Sequence, residues 1–334
     1  MKICKAKRCL AVLLASLFLT GCTAQSTPLG ERAVVRLIFL EKADPGYSAL
    51  TVVCDFSGGE QAQQAAVVQK AQGDTIEQAL WQAAAQRGGE PFFAQNRLLL
   101  LGPRLAAEEL PAVLDYFAAN CGAYRDPALW LWYGGQNELS ALPEPMAFVQ
   151  MAEKLTQEDV QGCVLHVLEC GDEQTVVLPV LEQTEQQEKT AGVKAGGLAV
   201  PDGRALQLYR AEEVLLGYGL LRGLQKEQLL PVEYAGEQYT LRLEELQRDL
   251  FVQNGCLCLM VRGACSTAAE SSMLPKGLQT AAEQAVRQQC AAAWHSLTQK
   301  GVRDIFALRW WGQQLGASVG SEKVPLITVS FHLE

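Results

Sequence analysis

The sequence predicts a mixed α/β (α+β) chain of two or three domains. Its 334 residues are 49% hydrophobic, which is enough apolar material for more than one core. β-Branched apolar runs alternate with amphipathic helical stripes through the N-terminal half, and the chain closes on a strand with one apolar face.

The first 21 residues read as a leader. Lys2, Lys5, Lys7 and Arg8 precede an uncharged run from Leu10 to Leu19, the basic head and short apolar core of a secretory signal. That run is too short to span a bilayer, which needs ~20 apolar residues. Leu19-Thr20-Gly21-Cys22 resembles the lipobox of bacterial lipoproteins, in which the cysteine thiol is diacylated and becomes the new N-terminus. Two acyl chains, at about 0.8 kcal/mol per buried CH₂, make such an attachment stable. A buried structural thiol is the alternative for Cys22.

Charge narrows the function classes. Residues 1–21 hold four of the 28 basic residues and none of the 37 acidic ones, so their removal moves the formal charge from −9 to −13. An acidic body argues against nucleic acid, which needs a basic face, and against adhesion to anionic headgroups through protein surface. Residues 22–30 read as a tether, and no later stretch of ~18 uncharged apolar residues predicts a second membrane segment.

The body is expected to fall into residues 31–183, a linker over 184–197, and residues 198–334, with a further division near 265–275 as an alternative. Ala33–Leu40 and Ser48–Phe56 are apolar and β-branched, and Asp44-Pro45-Gly46 between them predicts a hairpin. Asp74 is placed as the N-cap of a helix, with Glu77 three residues on and Ile76, Ala79, Leu80, Ala83 and Ala84 on one face, stopping at Gly88-Gly89. The continuous apolar run Arg97–Leu101 suits a strand buried on both faces. Leu110, Val113, Leu114 and Phe117 make the next helical stripe, with Pro111 in its first turn, and Ala128–Tyr133 returns as a strand. Strand, helix and strand with short links form a crossover, so part of the sheet should be parallel.

Residues 181–197 lose apolar character and gain charge, glutamine and glycine, the composition of a linker. Beyond them, Gly197–Val200, Ala205–Tyr209, Tyr239–Leu243 and Cys256–Val261 read as short strands around a helix from Glu212 to Leu221. Leu278, Ala282, Ala285, Val286, Ala293 and Leu297 then share one side of a long helix. In Val324–Leu333, Ile327, Val329, Phe331 and Leu333 alternate with polar residues.

Chemistry-bearing patterns are few. Cys163, His166 and Cys170 lie at i, i+3 and i+7, a candidate soft-metal set, but without a fourth ligand nearby; Val160, Val164 and Val167 share that surface, so packing is preferred. Cys256 and Cys258 share a strand face without redox-motif spacing. The 11 cysteines specify no disulfide framework, and mostly buried thiols are expected. His295 and His332 have no Ser or Asp partner in a recognisable frame. There is no G-x-S-x-G, no G-x-x-x-x-G-K and no H-E-x-x-H. Arg309, Trp310 and Trp311 offer an aromatic docking surface or, preferably, a core anchor.

Taken in order, several blocks resemble one family. Residues 73–135, with a Thr-Ile-x-x-Ala-Leu helix, an aromatic pair before a Leu-rich strand, a glycine and a Leu-Asp-Tyr-Phe helix, are similar to the Ger(x)C family, the lipoprotein C subunits of bacterial spore germinant receptors. "LPVLEQ" at 178–183, the glycine-containing block 195–223 and "RDIFALRWW" at 303–311 continue the likeness. The resemblance implies about three domains, each a mixed sheet flanked by helices. It further implies a non-enzymatic subunit in spore germination, on the outer face of the inner spore membrane, partnered by integral membrane subunits A and B. Only Cys22 transfers as a functional residue, as a diacylglycerol (palmitate-type) attachment point; no catalytic residue, metal or other cofactor does. An exported solute-binding lipoprotein of a transport system is the alternative, and it predicts a polar cleft between the two halves.

Overall fold

A computed structural model describes residues 31–55, 65–119, 127–158, 176–184, 192–201, 204–222, 228–253, 256–267, 275, 277–298, 306 and 326–333. The leader, Cys22, the Cys163/His166/Cys170 set and Arg309-Trp310-Trp311 lie outside the described residues.

The N-terminal hairpin forms where the turn signal places it. β1 (Arg32–Lys42) pairs antiparallel with β2 (Tyr47–Asp55), with a register shift between Val35 and Leu37. A third strand the sequence did not announce, β3 (Ala65–Gly73), pairs antiparallel with β2. Helix α1 (Ile76–Ala84) starts at Thr75 rather than Asp74: the Thr75 hydroxyl accepts from the Gln78 backbone N–H, and the Gln78 amide oxygen accepts from the Asp74 backbone N–H. After a short 3₁₀ turn the chain reverses at Gly88, in the left-handed region at φ +84°.

The short β4 (Glu90–Phe92) runs parallel to the start of β1, and β5 (Leu98–Leu101) runs parallel to its end. All four leucines of β5 are fully buried. Each contributes about 1.5–3 kcal/mol relative to exposure, which is why a strand of four residues can sit at the centre of the sheet. Two helices follow: α2 (Pro103–Glu108), which the sequence did not announce, with Pro103 at its first position, and, past Glu109, the expected helix α3 (Leu110–Ala119) with Pro111 in its first turn. β6 (Ala128–Trp132) follows parallel to β5, as the crossover predicted. α4 (Gly135–Ser140) and α5 (Pro145–Glu158) precede β7 (Leu178–Gln183), which is parallel to β6.

β8 (Val193–Pro201) and β9 (Leu206–Tyr209) complete the same sheet as antiparallel partners of β7. The expected linker 184–197 is therefore corrected at its C-terminal end. Val193–Gly197 are strand, because the hairpin back from β7 satisfies their backbone groups in the ladder. The order is β3-β2-β1-β5-β6-β7-β8-β9, with β4 beside β1. Helices cover both faces. Ile38, Leu99, Leu101 and Leu131 pack beneath α1, α2 and α3. Phe39, Leu100, Trp130 and Trp132 pack against Leu139 of α4 and Phe148 of α5. The Trp132 and Phe148 rings meet edge to face at 5.6 Å.

The second sheet runs β10 (Gln228–Tyr234), β11 (Glu237–Gln253), β12 (Cys256–Thr267) and β13 (Leu326–Leu333), in that order. β11 and β12 are far longer than the short strands expected, since a hairpin ladder extends past the apolar segments that announce it. The last pair is parallel and is joined through α7 (Leu278–Thr298), so the alternative division near 265–275 is not a break: β12 and β13 lie side by side. One face packs on α7 and α6 (Glu212–Arg222) around Leu241, Leu259, Val261, Val329 and Phe331. Ile327, Val329 and Phe331 face inward as their alternation predicts. Leu198 and Val200 of β8 join this core, so the two sheets meet through α6. Among the described residues no helix is long and apolar enough to cross a membrane.

Candidate functional site

Open sheets with parallel central strands offer their carboxyl ends as the place for function. Two charged clusters stand there. The first joins Lys42 at the end of β1, Tyr47 at the start of β2 and Glu109 at the α2–α3 break. Glu109 accepts from the Lys42 ammonium and, at 2.5 Å, from the Tyr47 hydroxyl, while Lys42 lies 4.6 Å above the Tyr47 ring. The Lys42 hydrogen bond, aided by Tyr47, holds the Glu109 carboxyl below its usual range, and the same bond raises Lys42. Beside them Arg104 donates to both oxygens of Asp44 and reaches Glu108 at 3.4 Å.

General acid–base work needs groups poised near the operating pH. Glu109 is pushed down, and the phenol of Tyr47 is pushed up by its bond to Glu109. The chemistry of this cluster is that of a clasp, locking the hairpin turn to the junction of α2 and α3.

The second cluster occupies the β6–β9 corner. Glu182 on β7 accepts from Arg210 at 3.0 Å and lies 3.8 Å from the Lys194 ammonium of β8. Two adjacent glycines of β8 make room for it. A β-carbon on Gly196 would sit 2.6 Å from a Glu182 carboxylate oxygen, and one on Gly197 would meet the Tyr209 carbonyl oxygen at 2.6 Å and Arg210 Cγ at 3.3 Å. The Gly-Gly pair thus serves a crossing of side chains. Tyr133, just past β6, is close enough to feel the Arg210 charge.

Elsewhere, a cavity of about 460 Å³ opens between β10 and α7, lined by Val232, Ala281, Ala285, Gln288 and Gln289. It lies within the second layer, whereas the solute-binding alternative expects a cleft between the halves. The described thiols of Cys54, Cys258, Cys265 and Cys290 are buried and in no disulfide; burial pushes Cys290 up to about 12. His295 is exposed on α7. Among the described residues no group of three or more His, Cys, Asp or Glu side chains is gathered as metal ligands. Nothing in the sequence marks Lys42, Tyr47, Glu109 or Arg210 as site residues, although Glu109 and Arg210 lie within the blocks 73–135 and 195–223. Glu182 and the Gly196-Gly197 pair likewise sit inside such blocks, but nothing local shows that they meet.

Two sheets that meet through α6, with two clusters of paired charges at the rim of the first, define a mixed α+β protein. Residues 25–142 match the family described as the spore germination protein N-terminal domain. That match covers 118 of the 334 residues, the first sheet's hairpin through α4. A solved structure, the GerBC protein, is similar at 12% identity over 89% of this chain and 96% of that chain, with a TM-score of 0.45. No curated protein matches.

Proposed function

We propose that this chain is a lipid-anchored, non-enzymatic subunit of a spore nutrient germinant receptor, working through protein contacts. The observation that carries the reading is the match of residues 25–142 to a spore germination domain. The leader ending in Leu19-Thr20-Gly21-Cys22 supports export and acylation. In this reading residues 1–21 are removed, Cys22 receives a diacylglycerol, and residues 22–30 space the body from the outer face of the inner spore membrane. Integral membrane subunits of the A and B type stand beside it. A mature charge of −13 gives the body no attraction to anionic headgroups, so the thioether does the holding.

Intact-mass analysis of the protein from its native membrane tests the anchor. The expected product begins at Cys22 and carries diacylglycerol, and Cys22→Ala shifts the body from the membrane to the soluble fraction. A native product without acyl mass, or with another first residue, overturns the proposal.

A further inference from the structure

The β6–β9 corner carries more than an internal ion pair. Side chains alternate across a strand, and Leu131, Val180 and Ala199 face the core beneath α1–α3. Tyr133, two residues on from Leu131, Glu182, two on from Val180, and Leu208, which pairs with Ala199, therefore share that face of the sheet. So do Lys194, paired with Glu182, and Arg210, two residues past Leu208. Three strand spacings of ~4.8 Å spread these five side chains over about 14 Å.

Tyr133 is 42% and Leu208 37% exposed. The side chains of Arg210 and Lys194 are 57% and 59% exposed, and the two share one carboxylate, Glu182. Among the described residues the corner is thus one positive charge in excess, on a mature body of −13. Tyrosine and arginine beside an apolar side chain make the composition of an interface centre. A guanidinium with its outer edge free binds a second carboxylate in paired hydrogen bonds.

From this juxtaposition we infer that the Tyr133–Lys194–Leu208–Arg210 corner is a docking surface for a protein segment that presents a carboxylate next to an apolar side chain. The inference rests on the proposed function and names the chemistry of the contact. An anionic bilayer does not suit the corner, because the body around it is acidic and is repelled by such a surface. A lone small anion would leave Tyr133 and Leu208 uncovered.

The test uses the full lipidated chain in its own membrane, with a photoreactive amino acid at Leu208 and, as control, at Leu229 on β10, which is more exposed than Leu208, at 62%. The expected result is an adduct from Leu208, and none of it from Leu229, to a segment of an integral membrane protein with Asp or Glu within a few residues of the link. Its yield falls roughly tenfold or more in Arg210→Glu and several-fold when salt is raised. Lys194→Glu, which leaves the Arg210–Glu182 pair in place, provides the same reading if Arg210→Glu fails to fold. No adduct from Leu208 overturns the inference, as does an adduct only to lipid, to a second copy of this chain or to a segment without acidic residues. So does an adduct indifferent to both charge reversals. Co-isolation of the unmodified chain with integral membrane proteins separates the two levels. If co-isolation persists while the Leu208 adduct is absent, the docking corner alone falls; if co-isolation is also lost, the proposed function falls with it.

Discussion

Gly217 on α6 and Gln289 on α7 touch through their backbones. A β-carbon at 217 would lie inside van der Waals contact of the Gln289 carbonyl oxygen and 2.8 Å from the Ala293 methyl. Ala282 and Ala293, both buried, keep the facing side of α7 equally low. The small residues let the helix that borders the first sheet lie against the helix that covers the second.

Gly217→Ala is therefore expected to destabilise, by about 2–3 kcal/mol, because the added methyl has no room. On an exposed helix the same change gains up to ~1 kcal/mol. Urea unfolding decides between the two, and a raised midpoint would contradict the close approach.

Trp294 holds Phe306 in a stack at 4.9 Å, nearly parallel, with Tyr218 tilted against the same ring at 6.0 Å. Trp294→Ala should cost about 3–5 kcal/mol from the lost burial and the cavity left behind. Trp294→Phe should cost clearly less, since a ring remains for Phe306. Equal losses in the two variants would mean that the stack contributes nothing.

The Lys42–Glu109–Tyr47 clasp carries a pH signature. Glu109 titrates below its ordinary 4.5 in the folded chain, so its contribution is present above that value and is lost as pH falls through the folded value. Lys42 titrates above 10.5, so its contribution is complete below that and is lost as pH rises through the folded value. Glu109→Gln should thus lower stability by no more than about 1 kcal/mol across neutral pH, the scale of a solvent-reached ion pair. The difference from the parent should shrink as pH falls below 4.5 and vanish once the folded value is passed. A difference that does not change with pH would contradict the assignment.

Cys54, Cys258, Cys265 and Cys290 should resist iodoacetamide in the native protein near pH 8 and react in guanidinium, each followed by peptide mass spectrometry. For Cys290 the folded thiol titrates at about 12 against 9.0 when free. Above pH 9 the unfolded chain loses this proton first, and stability falls with rising pH until the folded value is reached. Rapid native labelling of Cys290 would contradict its place in the core.

Much of the fold was legible where one residue pattern admits one structure. The Asp44-Pro45-Gly46 turn between β-branched runs gives the β1–β2 hairpin, four consecutive leucines give β5, and alternation gives the inward face of β13. β3 escaped because Ala65–Gly73 is made of Ala, Val, Gln, Lys and Gly, whose strand state comes from pairing with β2 rather than from propensity. The start of α1 was misplaced by one residue because Asp74–Glu77 and Thr75–Gln78 both have capping spacing, and only the side-chain geometry selects the second. α2 escaped because Pro103–Glu108 is too short to show a helical stripe, and the break at Glu109 that separates it from α3 serves Lys42 and Tyr47, 67 and 62 residues away. The rim was illegible for the same reason. Arg210 reaches Glu182 only after two hairpins fold β9 back across Gly197.

The most direct test of the account is nutrient-triggered germination, read as loss of optical density, in spores of the native host with this chain deleted. The response to at least one nutrient is expected to be lost, to be restored by the unaltered gene, and not to be restored by Cys22→Ala. Deletion spores that answer every nutrient at the parental rate would contradict it.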